Sequence, residues 1–247
     1  MDLLNDKWES IEGPGLLQDC CVDVWRVDLN RREGCVNSLF EILSPDEKQR
    51  ADKYRFEKDR QQFTVCRGVL RRIIGGYLSA YPQSVQFSYN RFGKPYLADL
   101  DQSLRFNVSH SHGVAVIAIS VNREIGIDIE LVDPRVDVFS IAQSAFSVGD
   151  VSFLKSLPST LQPATFFTGW TRKEACLKAM GDGLSSSDEH HSAIPSVLKE
   201  IDVSFTTSEN GTSRDWSLTS LKTADQFKAA LAVEGEIDKV RYLQFGD

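Results

Sequence analysis

The sequence predicts an α+β protein, because helical and strand-like patterns occupy separate stretches of the chain. Apolar side chains recur at helical spacing from about residue 58 to residue 81. The segment 125–131 instead places apolar residues at every second position, which is the period of a strand. The segments 201–206, 215–221 and 227–233 alternate in the same way and predict an antiparallel sheet near the end of the chain.

Composition is that of an ordinary globular protein, with 247 residues, 41% hydrophobic and 26% charged. This length suits one large domain or two small ones. The acidic first six residues lack the apolar stretch of a signal peptide, and no later run reaches membrane-spanning length. Five scattered cysteines are typical of reduced thiols, so we expect a cytoplasmic protein. The net charge of -7 argues against general nucleic-acid binding.

Basic side chains gather on the first predicted helices. Ser44, Pro45 and Glu47 form a helix start, with a hydroxyl N-cap, a first-turn proline and a glutamate that closes a capping box. A longer helix is predicted from about Lys58 to Tyr81. The cations on these two helices include Lys48, Arg50, Lys53, Arg55, Arg67, Arg71 and Arg72. A solvated basic face is the plainest interpretation for most of them.

The middle of the chain predicts short strands and then an apolar strand over Val114–Ser120. Two helices are expected near 137–146 and 150–157. Residues 185–192 are polar, which predicts a flexible loop.

Asp128 and Glu130 share one face of the predicted strand 125–131. Residues two apart in a strand point the same way, with Cα atoms roughly 6.5 to 7 Å apart, so we expect both acids to face outward. Neighbouring carboxylates repel each other unless they are protonated or share a cation, and hard oxygen ligands suit Mg²⁺. The alternative is an amphipathic strand with two hydrated acids.

The segment 166–181 has helical spacing, with Gly181 placed as a C-terminal cap. Trp170, Glu174 and Lys178 then share one face. Glu174 offers a third carboxylate for a metal site, and Lys178 offers a point charge for a phosphate. The same two residues also have the order of a surface ion pair worth only ~0.3 to 0.5 kcal/mol, so both interpretations remain.

Residues 106–113 place an amide, hydroxyls and imidazoles at a predicted turn that opens onto the apolar strand. Phosphate contact through Ser109 and His110 is the favoured hypothesis. His110 and His112 also have the two-residue spacing of some zinc sites, but the sequence has no Cys or third His at ligand spacing.

Together these segments resemble the 4′-phosphopantetheinyl transferases of the surfactin-synthetase-activating type. The family hallmarks are a Gly-x-Asp-x-Glu strand and a Trp-(Ser/Thr)-x-Lys-Glu-(Ala/Ser)-x-x-Lys helix, which stand here at 126–130 and 170–178 without a mismatch. The resemblance extends to residues 93–96, 107–110 and 181–184.

The resemblance implies a pseudo-twofold pair of similar α+β lobes, each a small antiparallel sheet with helices. We place the N-terminal lobe at residues 1–121 and the C-terminal lobe, with the metal acids, at 122–247. The implied activity is transfer of the 4′-phosphopantetheine arm of coenzyme A to a serine of an apo acyl or peptidyl carrier protein. Such a monomeric enzyme releases adenosine 3′,5′-bisphosphate, and fatty-acid, polyketide and peptide synthase carriers all remain open as substrates.

The resemblance also implies roles for particular residues. Magnesium is expected at Asp128, Glu130 and Glu174, and Glu174 is alternatively the base for the carrier serine. Glu174 and Lys178 are therefore the expected catalytic residues. Coenzyme A is expected to contact Asp128 and Lys178 as well as Arg50, Lys48, Arg55, Lys94, Asn107, Ser109 and His110, with the first three of this list as candidates for the 3′-phosphate.

Two other function classes fit the same residues. A different magnesium-dependent phosphoryl or nucleotidyl enzyme would bind nucleoside triphosphates or nucleic acid. A catalytically silent relative would bind coenzyme A or a carrier without transfer. Silence usually accompanies loss of an acid or of the helix lysine, and this sequence keeps Asp128, Glu130, Glu174 and Lys178.

Overall fold

The computed structural model of the chain describes residues 8–11, 13–15, 17, 21–30, 33–98, 103–181, 194, 196–198, 202–209 and 212–246. Over these residues the protein contains eleven strands, six α-helices and a 3₁₀ turn at Pro82–Ser84. The predicted α+β class is confirmed. No helix in these ranges is long and apolar enough to cross a membrane. The loop predicted at 185–192 lies outside the described residues.

The first half places three helices between its strands. Its elements are β1 (Glu9–Ile11), β2 (Cys21–Asp28), α1 (Glu33–Glu41), α2 (Pro45–Asp52), α3 (Glu57–Leu78), β3 (Phe87–Tyr89), β4 (Pro95–Leu97), β5 (Leu104–Ser111) and β6 (Val114–Val121). Helix α3 ends three residues before the predicted Tyr81, because Ser79 adopts a left-handed cap with φ 50°.

The second half repeats this order. Its elements are β7 (Ile125–Leu131), α4 (Val138–Ala145), α5 (Val148–Ser156), α6 (Gln162–Met180), β8 (Asp202–Glu209), β9 (Thr212–Ser220), β10 (Phe227–Glu234) and β11 (Lys239–Phe245). The sequence patterns in the tail are confirmed as antiparallel strands, since β8 pairs with β9 and β9 with β10.

The two main sheets share one topology. The five-stranded sheet has the order β1-β11-β2-β6-β5, and the four-stranded sheet has the order β7-β10-β9-β8. In each sheet a first strand, β2 or β7, pairs antiparallel with the last strand of a hairpin that follows the helices. This match supports the predicted pair of similar lobes. Strand β11 pairs in parallel with both β1 and β2, so the end of the chain completes the sheet of the first half. The boundary at residue 121 stays a prediction.

The molecule is built in four layers. One apolar cluster joins α1 and α3 to the outer face of the first sheet. A second cluster joins the inner faces of the two sheets, where Val22 and Val24 meet Ile127 and Ile129. A third places α6 on the outer face of the second sheet. Both faces of β7 are therefore covered, one by the first sheet and the other by α6.

Glu47 does more than cap a helix. The Ser44 N–H donates to Glu47 Oε2 at 3.0 Å, as the predicted capping box requires. The same oxygen accepts from Arg71 Nε at 2.6 Å, and Arg67 Nε lies 3.5 Å from Oε1. Arg71 is 1% exposed and Arg67 9%, so the solvated basic face is wrong for these two residues.

Candidate active site

Helix α6 lies directly on strand β7 at Gly126. A Cβ at this position would stand 2.1 Å from Ala175 O and 2.3 Å from Ala179 N, so only glycine admits this approach. The face of β7 that carries Asp128 and Glu130, called the acid face below, was predicted to point outward, and this prediction is wrong. Because α6 covers that face, Asp128 is only 3% exposed.

Asp128 and Lys178 form the centre of the site. Lys178 Nζ lies 2.6 Å from Asp128 Oδ1 and also donates to Ser109 Oγ at 3.1 Å. Ser109 Oγ in turn donates to Asp128 Oδ1 at 2.8 Å. Asp128 Oδ2 is buried and has no hydrogen-bond partner among the described residues. One carboxylate oxygen thus holds the lysine, and the other is available to a ligand.

Glu174 lies one helical turn before Lys178. Its pKa is raised to about 7, chiefly by burial and also by the charge of Asp128, while the Lys178 and Lys173 ammonium groups oppose the shift. Its Oε1 is buried without a hydrogen-bond partner among the described residues. A carboxyl group with this pKa can gain or lose a proton near neutral pH.

Glu130 is half-buried at the end of the acid face. Ser111 Oγ donates to its Oε2 at 2.8 Å. Burial raises the pKa of Glu130, and the hydrogen bond from Ser111 opposes this effect.

The three acids suit a magnesium ion that is completed by substrate and water. Among the described residues, no three Asp, Glu, His or Cys side chains are grouped closely enough to hold a metal by themselves. Mg²⁺ in proteins commonly takes one or two carboxylates together with phosphate oxygens and water. The unpartnered oxygens of Asp128 and Glu174, with the raised pKa of Glu174, fit a cation of this kind.

A cavity of about 350 Å³ opens near the cluster formed by Asp128, Glu130, Glu174 and Lys178, which we call the acid cluster. Its wall includes Arg50, Arg67 and His110, the aromatic rings of Tyr54 and Phe63, and one acid, Asp59. The pKa of His110 lies below its ordinary value because of burial and the Lys178 charge, and the charge of Asp128 opposes this shift. The wall residue His110 directly follows Ser109 on β5, so one strand contributes side chains both to the cavity and to the site around Asp128.

Two family models match the chain in succession. The model described as the 4′-phosphopantetheinyl transferase superfamily matches residues 124–232, and one described as 4′-phosphopantetheinyl transferase, N-terminal, matches 32–122. The chain is also 39% identical over 219 residues to the 4′-phosphopantetheinyl transferase HetI of Nostoc sp.. The aligned residues are 87% of this chain and 88% of the relative. The chain belongs to the 4′-phosphopantetheinyl transferase family.

Other family members match over a shorter stretch. The 4′-phosphopantetheinyl transferase Sfp of Bacillus subtilis is 30% identical over 147 residues, or 60% of this chain and 64% of the relative. The L-aminoadipate-semialdehyde dehydrogenase-phosphopantetheinyl transferase of Schizosaccharomyces pombe is 29% identical over 163 residues, or 60% and 62%. The family and the transferase class predicted from the sequence are confirmed.

Four of the predicted phosphate and coenzyme residues lie outside both the wall of this cavity and the group of Ser109, Asp128 and Lys178. Lys48 Nζ lies 3.7 Å from Glu41 Oε2, and the Arg55 guanidinium lies over the Phe56 ring. Lys94 Nζ donates to Lys178 O at 2.6 Å and to Ile125 O at 3.2 Å. Asn107 Oδ1 accepts from the Ile127 N–H at 2.9 Å. Lys94 and Asn107 thus hold α6 and β7 in position, and contacts of these four residues with coenzyme A stay predictions.

The polar segment 107–110 lies on a strand. Asn107, Ser109 and His110 belong to strand β5, not to a turn as predicted, and the turn follows at His112 and Gly113.

Sequence reasoning missed two residues near the site, Ser111 and Arg67. Every second residue of strand β5 contacts β7, and these residues are Asn107, Ser109 and Ser111. The two-residue period of a strand was the signal that could have found Ser111. Arg67 had no such signal, because it is one of many cations on the first two predicted helices.

Proposed function

We propose that this enzyme transfers 4′-phosphopantetheine from coenzyme A to a serine of an apo acyl or peptidyl carrier protein, with Mg²⁺ as cofactor. The observation that carries the proposal is the group formed by the buried Asp128 and the half-buried Glu174 and Lys178, beside a cavity lined by cations. The donor is a nucleotide with several phosphates, and the acids, the lysine and the basic cavity together suit such a molecule.

The cavity supports coenzyme A as the donor. Arg50, Arg67 and His110 offer donors to a phosphate, and the Tyr54 and Phe63 rings offer apolar surface to a base. We therefore assign the nucleotide end of the donor, with its 3′-phosphate, to this cavity.

The reaction is an attack by the carrier serine oxygen on the β-phosphorus of the pyrophosphate. A new P–O bond forms to the serine, and the old P–O bond breaks with its electron pair on adenosine 3′,5′-bisphosphate. Glu174 takes the serine proton, directly or through water. Lys178 places an ammonium charge against the phosphate oxygens, and Asp128 holds it there at 2.6 Å.

Asp128, Glu130 and Glu174 would hold the magnesium ion. When bound, Mg²⁺ supplies charge neutralisation of the pyrophosphate. Glu174 is a ligand in this arrangement and the base in the proton transfer, and the two roles are separated by an experiment below. The proposal includes a monomer, as the resemblance implies, and a cytoplasmic location, as the scattered cysteines indicate.

The test is intact-mass spectrometry of an apo carrier protein incubated with the enzyme, coenzyme A and Mg²⁺. We expect a gain of about 340 Da, from the formula of the transferred group, that disappears with a chelator. A carrier whose acceptor serine is replaced by alanine is the matched control. No gain with several unrelated carriers would refute the proposal.

The cavity assignment has its own prediction. Arg50→Ala and Arg67→Gln should each raise KM for coenzyme A at least about 10-fold, the equivalent of one hydrogen bond to a charged group, and should change KM for dephospho-coenzyme A much less. Arg72→Gln, which alters an exposed cation on the same helix as Arg67, is the control. Equal use of both donors by the wild-type enzyme would contradict a phosphate site in this cavity.

A further inference from the structure

Strand β5 presents a row of polar side chains to strand β7. Asn107, Ser109 and Ser111 occupy every second position, and all three are buried. Asn107 accepts from the β7 backbone, Ser109 donates to Asp128, and Ser111 donates to Glu130. The row therefore joins the two halves of the molecule at the acid face.

The Ser111 hydroxyl both donates and accepts a hydrogen bond. A hydroxyl has one proton and two acceptor lone pairs. The Ser111 proton goes to Glu130 Oε2 at 2.8 Å, and the oxygen accepts from the Leu131 N–H at 3.2 Å. His112 Nδ1 lies 3.1 Å from the same oxygen and fills the remaining lone pair when it carries a proton.

The turn after Ser111 fixes this geometry. His112 and Gly113 have φ values of 48° and 83°, and β5 and β6 pair directly on either side of them. Two successive residues with positive φ are typical of a tight type I′ hairpin. A Cβ at Gly113 would stand 2.3 Å from Asn30 Nδ2, so the turn is also held against the end of β2.

We propose that Ser111 is a positioning residue for the metal acid Glu130. It binds one carboxylate oxygen, Oε2, and so fixes the side chain with Oε1 left for the cation. This inference rests on the magnesium site under the proposed function. Hydrogen bonds to ligand carboxylates orient them, and loss of such a bond typically lowers metal affinity about 10- to 100-fold.

The test measures magnesium binding without turnover. Each protein is held at saturating coenzyme A with no carrier, and the rise in Tm is followed as Mg²⁺ is added, relative to its own Tm without metal. For Ser111→Ala we expect the half-saturating Mg²⁺ concentration to rise about 10-fold or more. Ser111→Thr keeps the hydroxyl and should restore the wild-type value.

The matched control is Ser120→Ala. Ser120 is buried in the neighbouring strand β6, and its Oγ donates to Arg123 O at 2.7 Å. The Ser120→Ala variant loses a comparable hydrogen bond away from the acids. Its Tm should therefore change, while its half-saturating Mg²⁺ concentration should stay at the wild-type value. In turnover assays, Ser111→Ala should raise KM for Mg²⁺ while kcat at saturating Mg²⁺ stays near the wild-type value.

The outcomes separate two failures. If the wild-type protein shows no rise in Tm with Mg²⁺, the magnesium site is wrong and this inference fails with it. If the wild-type protein responds and Ser111→Ala half-saturates at the same concentration, the role of Ser111 alone is overturned. Should Ser111→Ala not fold, Ser111→Cys replaces it, because a thiol is only a weak donor and the same rise is expected.

Discussion

At the scale of single residues, Asp128 links the chemistry to the stability of the fold. Its side chain is buried, and the Lys178 side chain paired with it is 28% exposed. A buried carboxylate that loses its charge leaves the ammonium beside it without a charged partner. Substitution of Asp128 should therefore lower the stability of the fold, whereas an exposed metal ligand could be replaced without such a loss.

We predict that Asp128→Asn abolishes transfer and lowers the free energy of unfolding by about 1–3 kcal/mol, because Lys178 keeps a neutral partner in place of a charged one. Urea unfolding and intact-mass assays measure the two effects. Asp133→Asn is the control, since Asp133 pairs with the exposed Arg135 and should leave both quantities unchanged. Full transfer by Asp128→Asn would remove this carboxylate from the mechanism.

The raised pKa of Glu174 should make the free energy of unfolding depend on pH. Its pKa is about 7 in the folded chain and 4.5 in the unfolded chain, so the folded state binds the proton more tightly. Without metal, the stability that this proton contributes is complete below 4.5 and is lost as the pH rises through 7. Glu174→Gln should therefore match the wild-type protein at about pH 4 and exceed its stability by on the order of 2–3 kcal/mol at about pH 8. Urea unfolding in chelator at both pH values tests this, and no gain at the higher pH would contradict it.

The same variant separates the two roles of Glu174. A ligand role requires that Glu174→Gln loses most of the magnesium-dependent rise in Tm, because a neutral amide is a poorer ligand than a carboxylate. A role as base alone requires that the rise is kept while transfer is lost. The Tm measurement under coenzyme A described for Ser111 distinguishes these results.

At the scale of elements, the contact between α6 and β7 depends on one missing side chain. The backbone of α6 occupies the position that a Cβ at Gly126 would need. Backbone atoms cannot rotate away as the end of a side chain can, so a larger residue must displace the helix. Since α6 carries Glu174 and Lys178, such a displacement would also move the catalytic groups.

We predict that Gly126→Ala lowers the free energy of unfolding by at least about 3 kcal/mol, the upper part of the usual range for overpacking, and abolishes transfer. Gly149→Ala on α5 is the matched control. A Cβ there meets only Ser147 Oγ at 3.7 Å, so this substitution should raise helix stability by about 0.5–1 kcal/mol. Equal effects of the two substitutions in thermal unfolding would show that α6 does not need this close approach.

Sequence patterns predicted elements better than the contacts between them. The helices predicted at 137–146 and 150–157 are α4 and α5, and alternation correctly turned the isoleucines of β7 toward a core. Alternation identifies the two faces of a strand but does not say what covers the second one. The burial of Asp128 was missed for that reason, although Gly126 was a signal that another backbone approaches.

At the scale of the whole molecule, the site exists only where the two halves meet. Ser109 and Ser111 come from the first half, and Asp128 and Glu130 come from the second. The motifs predicted the acids and the lysine, since each is local in sequence. The pairing of β11 with β2 was not predicted, because periodicity carries no information about which distant strands lie side by side.

Strand β11 joins the halves through a partly buried ion pair. Asp23 on β2 is fully buried and accepts from Arg241 Nε at 2.5 Å and Nη2 at 2.6 Å, across 218 residues of sequence. Tyr77 OH on α3 also donates to Asp23. The strand that follows β10 of the second sheet is thus anchored in the first sheet.

We predict that Arg241→Met lowers the free energy of unfolding by about 2–3 kcal/mol, because Asp23 remains buried without its cation. Arg214→Met is the control, since Arg214 is half exposed, lies 3.9 Å from Glu234 and should contribute less than about 0.5 kcal/mol. Because β11 ties the end of the second half to the first sheet, hydrogen exchange in Arg241→Met should accelerate together in β2 and β9. Acceleration confined to β2 would mean that the halves open independently, and the residues that meet at the acid face would then separate without global unfolding.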